Sequence, residues 1–302
     1  MTITELIDRV RREARARTLA VAAPYDAVTL KSAHDAFTAG IARVILFGDR
    51  SRIAACAGTE GIPLEGMELR DIAETDKVLA AAVAAANEGA AQMLMKGDVP
   101  TSKLMHAVLN GHTGIVPEGR LVSHVGVFHA PAYDRMMLIT DAGININPDF
   151  ERKVQIIRNA ITVAHRLGVA RPRVALLAAI ETVNVGKMPV TVEARLIAKM
   201  GQAGLLGEAF VDGPFALDNA VSAEAARLKN LGGEVAGRAD ILVAPDIEAG
   251  NVLYKAITTF AGLTFASVVV GARVPIVMPS RVDSEQTKLA SIALAAYISG
   301  KE

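Results

Sequence analysis

The chain has 302 residues, of which 51% are hydrophobic, and its 32 Lys and Arg residues balance its 32 Asp and Glu residues. This length can bury a large core, in one large domain or in two moderate ones, and we expect two. The balanced charge argues against nucleic acid as a partner, so we expect small molecules or further copies of the chain. The single cysteine, Cys56, excludes an internal disulfide and favours a reducing, cytoplasmic location.

Residues 1–24 carry charges throughout, whereas a signal peptide has a basic segment followed by an apolar one. This segment predicts an amphipathic helix. Among the most apolar stretches, "FASVVVGARVPIVMP" is broken by charge and proline and is shorter than the roughly 18 to 20 residues that a membrane span needs. We therefore expect a soluble protein without membrane association.

Short β-branched runs alternate with Ala-rich helical stretches along the chain, which predicts an α/β fold with mostly parallel, Rossmann-like sheets. The predicted strands lie in "TLAVAAP", "ARVILFGD", "AQMLMKGD", "LVSHVGVFHAP", "MMLITDAG", "RVALLAA", "EAFVDGP", "DILVAPD" and "VPIVMPS". Nearly every run ends in Asp, Gly or Pro. Because ligands of open α/β sheets bind beyond the carboxyl ends of the strands, these ends are where we expect the site.

The domain boundary is expected near "MMLITDAGININPDFERK", where a strand enters a loop rich in Gly, Asn and Pro. The apolar stripe of the last helix needs a partner, which predicts a return of the chain near residue 270; its members are Leu289, Ile292, Ala293, Ala296 and Tyr297. The predicted domains are residues 1–137 with 270–302, and residues 138–269.

The segment "MPSRVDSEQTKLASIALAAY" places Ser280 and Arg281 before a helix start. Asp283 or Ser284 is a plausible N-cap, and acidic residues there also complement the helix dipole. That interpretation explains the carboxylates but not the Ser-Arg pair. A hydroxyl and a guanidinium at a helix amino terminus are typical of a phosphate site.

The segment "MKGDVPTSKLMHAVLNGHTG" follows a predicted strand with Lys96 and Gly97, and places the hydroxyls of Thr101 and Ser102 at another helix start. An ordinary turn with a threonine cap is the alternative. Neither the P-loop spacing nor the dinucleotide fingerprint is present.

The segment "VAPDIEAGNVLYKA" ends a predicted strand at Asp246 and then places Gly250 and Asn251 in the first turn of a helix. Glycine at such a position indicates that something approaches the backbone closely, either a ligand or a packed element. Both interpretations stay open, and we take the three residues as candidates for substrate binding.

The histidines do not predict a metal site. His124 and His129 are five residues apart in a predicted strand, so their side chains point to opposite faces. His106 and His112 are separated by a helix end and a turn. The G-x-S-x-G motif of the α/β-hydrolase nucleophile is absent as well, so we expect neither a catalytic metal nor a serine nucleophile.

Five segments together resemble the phosphate acetyltransferase and phosphate butyryltransferase family: "MKGDVPTSKLM", "LITDAGININP", "VDGPFALDNAV", "GRADILVAPDIEAGNVLYKA" and "PSRVDSEQTKLASIALAAY". The resemblance covers the chain from about residue 90 onward. It implies two α/β domains that face one another across a cleft, an architecture like that of isocitrate and isopropylmalate dehydrogenases. It also implies a homodimer or higher homo-oligomer.

The resemblance implies reversible transfer of a short acyl group, acetyl or butyryl, between coenzyme A and inorganic phosphate. Coenzyme A is then a substrate, and no metal or other cofactor takes part. Arg281 would hold the phosphoryl group, Ser280 would stabilise the oxyanion, and a carboxylate would accept the thiol proton. The position seven residues after Ser280, where the acetyltransferases carry the proposed base, is Thr287.

Asp283 and Glu285 are the nearby replacements for that base, and the choice between them stays open. Lys96, Thr101 and Ser102 would add phosphate contacts, and Arg120 is a further candidate for anion binding. Two alternatives are a catalytically silent protein that binds acyl-CoA or phosphate, and a metal-dependent dehydrogenase of related fold.

Overall fold

The computed structural model describes residues 1–13, 17–280 and 283–300. Its strands are β1 (Arg17–Ala22), β2 (Ala42–Gly48), β3 (Glu68–Asp71), β4 (Met93–Lys96), β5 (Ser123–Ala130), β6 (Arg135–Thr140), β7 (Arg173–Leu177), β8 (Phe210–Phe215), β9 (Ile241–Val243), β10 (Phe265–Val270) and β11 (Ile276–Val277). Its helices are α1 (Ile3–Arg12), α2 (Ala27–Thr38), α3 (Arg50–Glu60), α4 (Thr75–Asn87), α5 (Thr101–Val108), α6 (Phe150–Arg166), α7 (Pro189–Gln202), α8 (Leu217–Val221), α9 (Ala223–Leu228), α10 (Ile247–Phe260) and α11 (Glu285–Ser299). A 3-10 turn spans Pro131–Tyr133.

The residue contacts divide the chain into two compact units. We call residues 2–122 with 264–302 the terminal unit and residues 123–263 the central unit. The crossing predicted at residue 137 falls within β6, which pairs with β5 as an antiparallel hairpin of the central unit. The domain ranges predicted from the sequence stay a prediction.

In the terminal unit the strand order is β3-β2-β1-β4-β11-β10. The first five of these strands are parallel to their neighbours, and β10 is antiparallel to β11. Helix α11 packs against β10, α1 and α2 and is buried along most of its length. The side chains of β1 are buried from Thr18 onward, as expected for a parallel strand that is covered on both faces.

In the central unit the strand order is β5-β6-β9-β7-β8. Strands β6, β9, β7 and β8 are parallel, and β5 is antiparallel to β6. Helix α6 packs on β5, β6 and β9, and α7 packs on β7 and β8.

The α/β fold with mostly parallel strands is therefore confirmed, and every strand predicted from the sequence is present. β10 lies in the first half of the apolar stretch "FASVVVGARVPIVMP", which the sequence analysis considers only as part of a membrane span, so it is not among the predicted strands. Neither is β3, because its Glu68–Asp71 sequence is charged and three of its four residues are exposed. It lies at the edge of the terminal-unit sheet, where charged residues are common. In the part of the chain that the structure describes, no helix is long and apolar enough to cross a membrane.

Candidate active site

A cavity of about 300 Å³ lies in the terminal unit where three parallel strands end. β4 pairs with β1 on one side and with β11 on the other, so the chain segments that follow these strands meet at one edge. The cavity is lined by Asp26, Val28, Thr29, Lys96, Gly97, Asp98, Pro279, Ser280 and Lys288. It thus combines a serine hydroxyl with two lysines and two carboxylates.

Ser280 lies shortly before α11 and makes two hydrogen bonds with Asp283. Its N–H donates to Asp283 Oδ2 at 2.8 Å, and the Asp283 N–H donates back to the Ser280 carbonyl at 3.1 Å. Ser284, rather than Asp283, is the N-cap of α11, since its Oγ accepts the N–H of Thr287 at 3.1 Å. Asp283 therefore holds the backbone of Ser280 beside the cavity. Arg281, the other half of the predicted pair, lies outside the described residues.

Glu285 projects from the first turn of α11, and it is not among the lining residues of the cavity. Its Oε1 lies 2.6 Å from Lys31 Nζ, and both side chains are about half exposed or more. The hydrogen bond and the charge of Glu285 raise the pKa of Lys31 above its ordinary value. The carboxylate is thus engaged in an exposed ion pair on the α2 side of the helix.

Lys288 lines the cavity although its side chain is almost fully enclosed, with 2% of the residue exposed. Its Nζ donates to the carbonyl of Asp283 at 2.6 Å. Burial lowers the pKa of Lys288 below its ordinary value, and the charges of Asp283, Asp26 and Glu285 oppose that shift. The sequence analysis missed this residue, although a lysine four residues before the buried Ile292 on an apolar helix is a detectable signal.

Lys96 is held at the end of β4, where its Nζ donates to the carbonyls of Gly97 at 3.0 Å and Val99 at 3.1 Å. A Cβ at Gly97 would lie 2.2 Å from the carbonyl oxygen of Ala23. Glycine is therefore required for the turn after β4 to approach the turn after β1. This contact brings Lys96 and the α2 residues Asp26 and Thr29, which the sequence analysis also missed, to the same cavity.

Three other residues predicted to bind substrate lie elsewhere in the terminal unit. Thr101 and Ser102 are exposed on the first turn of α5, whose N-cap is Pro100. The alternative of a threonine cap is therefore not observed. Arg120 is exposed in the loop before β5. None of the three is among the lining residues of the cavity.

The central-unit residues that we predicted to bind substrate make their contacts with the backbone of that unit. Asp246 is the N-cap of α10 and accepts the N–H of Ala249 at 2.8 Å. A Cβ at Gly250 would lie 2.3 Å from the Asp141 carbonyl oxygen, and Asn251 Nδ2 donates to the Ala142 carbonyl at 3.0 Å. Of the two interpretations of Gly250, close packing against the backbone is the one observed. Binding of substrate by these three residues stays a prediction.

Metal-ligating side chains do not cluster in the part of the chain that is described: no group of three or more His, Cys, Asp or Glu residues there could hold a metal ion. His124 and His129 both lie on β5. His124 packs edge-on against Tyr254 with ring centroids 6.0 Å apart. His129 Nε2 lies 3.6 Å from an Asp134 carboxylate oxygen.

The comparisons with known proteins point to one family. Residues 74–296 match the family described as "Phosphate acetyl/butaryl transferase". The chain is 42% identical to a phosphate butyryltransferase of Clostridium beijerinckii over 98% of this chain and 97% of the relative. It is also 42% identical to a phosphate acetyltransferase of Rhizobium meliloti over 98% of this chain and 93% of the relative.

A solved structure shares this fold across nearly the whole chain. The branched-chain phosphotransacylase of Enterococcus faecalis V583 superimposes with a TM-score of 0.83 at 30% identity, covering 95% of this chain and all of that one. The family match alone spans well over half of the chain. The protein therefore belongs to the phosphate acetyl/butyryl transferase family of acyltransferase enzymes.

Proposed function

We propose that this acyltransferase moves a short acyl group, acetyl or butyryl, reversibly between coenzyme A and inorganic phosphate at the cavity of the terminal unit. The observation that carries the proposal is the convergence of Ser280, Lys96 and Lys288 on one cavity in a chain of this family. Two lysines attract the phosphoryl dianion, and a serine hydroxyl is a neutral donor for a developing oxyanion.

The proposed step is direct attack of the coenzyme A thiolate on the carbonyl carbon of the acyl phosphate. A C–S bond forms and a tetrahedral oxyanion develops. The bond between the acyl carbon and the bridging oxygen of the phosphate then breaks, which releases inorganic phosphate. The Ser280 hydroxyl donates a hydrogen bond to the oxyanion, because Asp283 holds the Ser280 backbone beside the cavity. Arg281 and Lys96 hold the phosphoryl oxygens.

The thiol proton must leave before or during the attack. Asp283 and Glu285 are the two acceptors that the family resemblance suggests. Both carboxylates have other partners, the Ser280 N–H for Asp283 and the Lys31 ammonium for Glu285. Comparison of Asp283→Asn with Glu285→Gln tests them directly: a variant that removes the thiol proton acceptor should lose activity, and retained activity in both variants would place the acceptor on another group of the cavity.

The remaining predicted residues belong to the same proposal. Exposed hydroxyls at Thr101 and Ser102 and the exposed cation of Arg120 are suited to contacts with the phosphates of coenzyme A. Asp246, Gly250 and Asn251 are proposed substrate contacts of the central unit. The reaction as proposed needs no metal or other cofactor, since coenzyme A is a substrate.

The resemblance supports three broader proposals. They are a two-domain architecture like that of isocitrate and isopropylmalate dehydrogenases, assembly as a homodimer or higher homo-oligomer, and a cytoplasmic location. The two compact units and the single, half-buried Cys56 agree with the first and third of these.

The test is phosphate-dependent release of the coenzyme A thiol from acetyl-CoA, propionyl-CoA and butyryl-CoA, without added metal. We expect turnover that needs phosphate, with the three rates ranking the acyl groups. Coenzyme A binding without turnover of any of the three would instead indicate the silent binding protein. Reduction of NAD with a bound metal would indicate the dehydrogenase.

A further inference from the structure

Lys288 shares with Lys96 the attraction of the phosphoryl group, and its contacts in the cavity indicate a further task. Lys288 enters from the first turns of α11 with 2% of its surface exposed, and its Nζ lies 2.6 Å from the Asp283 carbonyl. Asp283 also accepts the N–H of Ser280. Lys288 therefore binds the same residue, Asp283, that holds the backbone of the proposed oxyanion donor, Ser280.

The other ionisable groups that line the cavity are already engaged. Asp26 Oδ1 accepts the N–H of Thr29 at the start of α2. Lys96 Nζ donates to the backbone carbonyls of Gly97 and Val99. Asp98 is exposed in the turn after β4. Of the side chains lining this cavity, Lys288 is the titratable group most shielded from water.

The contacts of Lys288 suit a group that changes protonation state. Its described acceptor is a neutral carbonyl, which a neutral amine can satisfy with one N–H while keeping a lone pair. By contrast, an ammonium buried beside a neutral acceptor lacks a compensating charge in direct contact. Burial lowers the pKa of Lys288 below its ordinary value, which increases the fraction of neutral amine at any given pH.

Charged groups surround Lys288 from each element of the cavity. Asp283 precedes α11, and Glu285 lies in its first turn and is paired with Lys31. Asp26 caps α2, Lys96 is the last residue of β4, and Asp98 lies in the turn after it. The carboxylates favour the ammonium, whereas burial favours the amine. Binding of an anionic acyl phosphate would shift this balance toward the ammonium, which is the form that Lys288 reaches after it takes a proton.

We propose that Lys288, as a neutral amine, accepts the thiol proton of coenzyme A. The inference rests on the proposed function and deepens it. The amine takes the proton as the sulfur attacks the acyl carbon, so the products are the thioester, inorganic phosphate and a Lys288 ammonium. In the reverse direction the ammonium returns the proton to the departing thiolate.

The decisive comparison is Lys288→Met with Lys288→Arg. Arginine keeps a positive charge in the cavity but cannot lose its proton near neutral pH. If Lys288 is the proton acceptor, both variants should lose activity by about 100-fold or more in kcat, the usual contribution of a general base. Lys31→Met is the matched control, because it removes a nearby cation that does not line the cavity, and its kcat should stay within about twofold of the native value.

A pH series separates proton transfer from a structural effect. The Lys288→Met defect should shrink as pH rises toward about 8.5, near the ordinary pKa of a thiol, because coenzyme A then supplies its own thiolate. Coenzyme A binding, measured by calorimetry, shows whether each variant keeps a folded site. A defect of constant size across pH, in variants that bind coenzyme A normally, would overturn the proposal.

Two further outcomes would overturn the assignment of Lys288 as the proton acceptor. Native-like activity of Lys288→Arg would mean that the charge alone matters, and would overturn proton acceptance by Lys288. Loss of activity in Asp283→Asn that recovers at high pH, with Lys288→Met unaffected, would transfer the role to Asp283. If the native protein released no thiol from any acyl-CoA, the proposed function itself would fail before Lys288 was tested.

Discussion

Two polar clusters lie at strand ends of this chain, and they use their polar groups in different ways. In the central unit, the Asp141 carboxylate accepts the N–H groups of Gly143 and Ile144 at 2.8 and 2.9 Å, and Asn251 donates to the adjacent Ala142 carbonyl. In the terminal unit, Ser280 and Lys288 instead line a cavity. Polar residues at the ends of parallel strands are therefore equally consistent with backbone support and with ligand binding.

The two lysines that are buried among the described residues show the same difference. Lys153 on α6, 6% exposed, lies 2.5 Å from the Glu193 carboxylate of α7. Lys288, 2% exposed, donates to a backbone carbonyl instead. A buried ion pair keeps both partners charged, whereas a buried cation beside a neutral acceptor is poised to lose its proton. Only the second arrangement suits acid-base chemistry.

The largest expected effect tests whether the terminal-unit cavity performs the reaction. Ser280→Ala should lower kcat by about 100-fold or more, because it removes a donor aimed at the developing oxyanion. Thermal unfolding should be nearly unchanged, since the hydrogen bonds that join Ser280 to Asp283 are made by the Ser280 backbone. Steady-state kinetics of phosphate-dependent thiol release measures the loss.

Ser299→Ala on the same helix is the control for that comparison. Ser299 Oγ donates to the Ala296 carbonyl near the end of α11, away from the cavity lining. Its kcat should match that of the native enzyme. Equal activity of Ser280→Ala and Ser299→Ala would remove Ser280 from the site.

The next effect compares the two close backbone approaches. Gly97→Ala and Gly250→Ala each place a Cβ within 2.3 Å of a carbonyl oxygen, so each should destabilise the protein by about 1 to 3 kcal/mol. Gly58→Ala on α3 meets no atom within 4 Å and should instead stabilise it by up to about 1 kcal/mol. Urea unfolding measures all three.

Activity per folded molecule then shows which of the two polar clusters contributes more to the reaction. Gly97→Ala should lose more activity than Gly250→Ala, because Gly97 lines the cavity and sets the approach of the turns after β1 and β4. An equal or larger loss in Gly250→Ala would show that the central-unit cluster takes part in substrate binding.

Most of the fold is predictable from the sequence because buried parallel strands are short, β-branched and bounded by Gly, Pro or Asp. β3 lacks that signal, because an exposed edge strand needs no apolar face. Lys96 and Ser280 are predictable for a related reason, since Lys96 ends one strongly apolar strand and Ser280 lies three residues after another.

The rest of the cavity depends on pairing that local sequence does not record. Asp26 reaches it because β1 lies beside β4, although the two strands are about seventy residues apart in the chain. Lys288 was missed because a single lysine near a helix start usually faces solvent. Its burial follows from α11 packing against α1, α2 and β10 at once.

Replacing each of the two buried lysines with methionine should change the free energy of unfolding in opposite directions. Lys153→Met leaves the Glu193 carboxylate without its ammonium and should destabilise the protein by about 2 kcal/mol. Lys288→Met removes a buried cation that donates to a backbone carbonyl, and should stabilise it by about 1 kcal/mol at pH 7.

The gain in stability of Lys288→Met over the native protein should shrink as pH rises. The folded pKa of Lys288 lies below its unfolded value, so the unfolded chain binds more protons between those two pKa values and native stability increases with pH there. Urea unfolding of the native enzyme and the variant from pH 7 to pH 10 measures the difference. A gap that widened with pH would show that the lysine stays charged when folded.

The smallest effect concerns a partly exposed pair of the central unit. Glu181 accepts hydrogen bonds from Lys229 Nζ at 3.1 Å and from Asn219, and the Lys229 bond is the main reason that the pKa of Glu181 lies below its ordinary value. The resulting stabilisation is present above the unfolded pKa of about 4.3 and is lost as pH falls through the folded value. Lys229→Met should therefore cost less than about 1 kcal/mol at pH 7, because the lysine side chain is 55% exposed, and this cost should fade in acid. Lys199→Met, at an exposed lysine of α7, should show no such fading. Parallel pH profiles for the two variants would mean that the Glu181 contact, like the surface pairs, contributes nothing to folding.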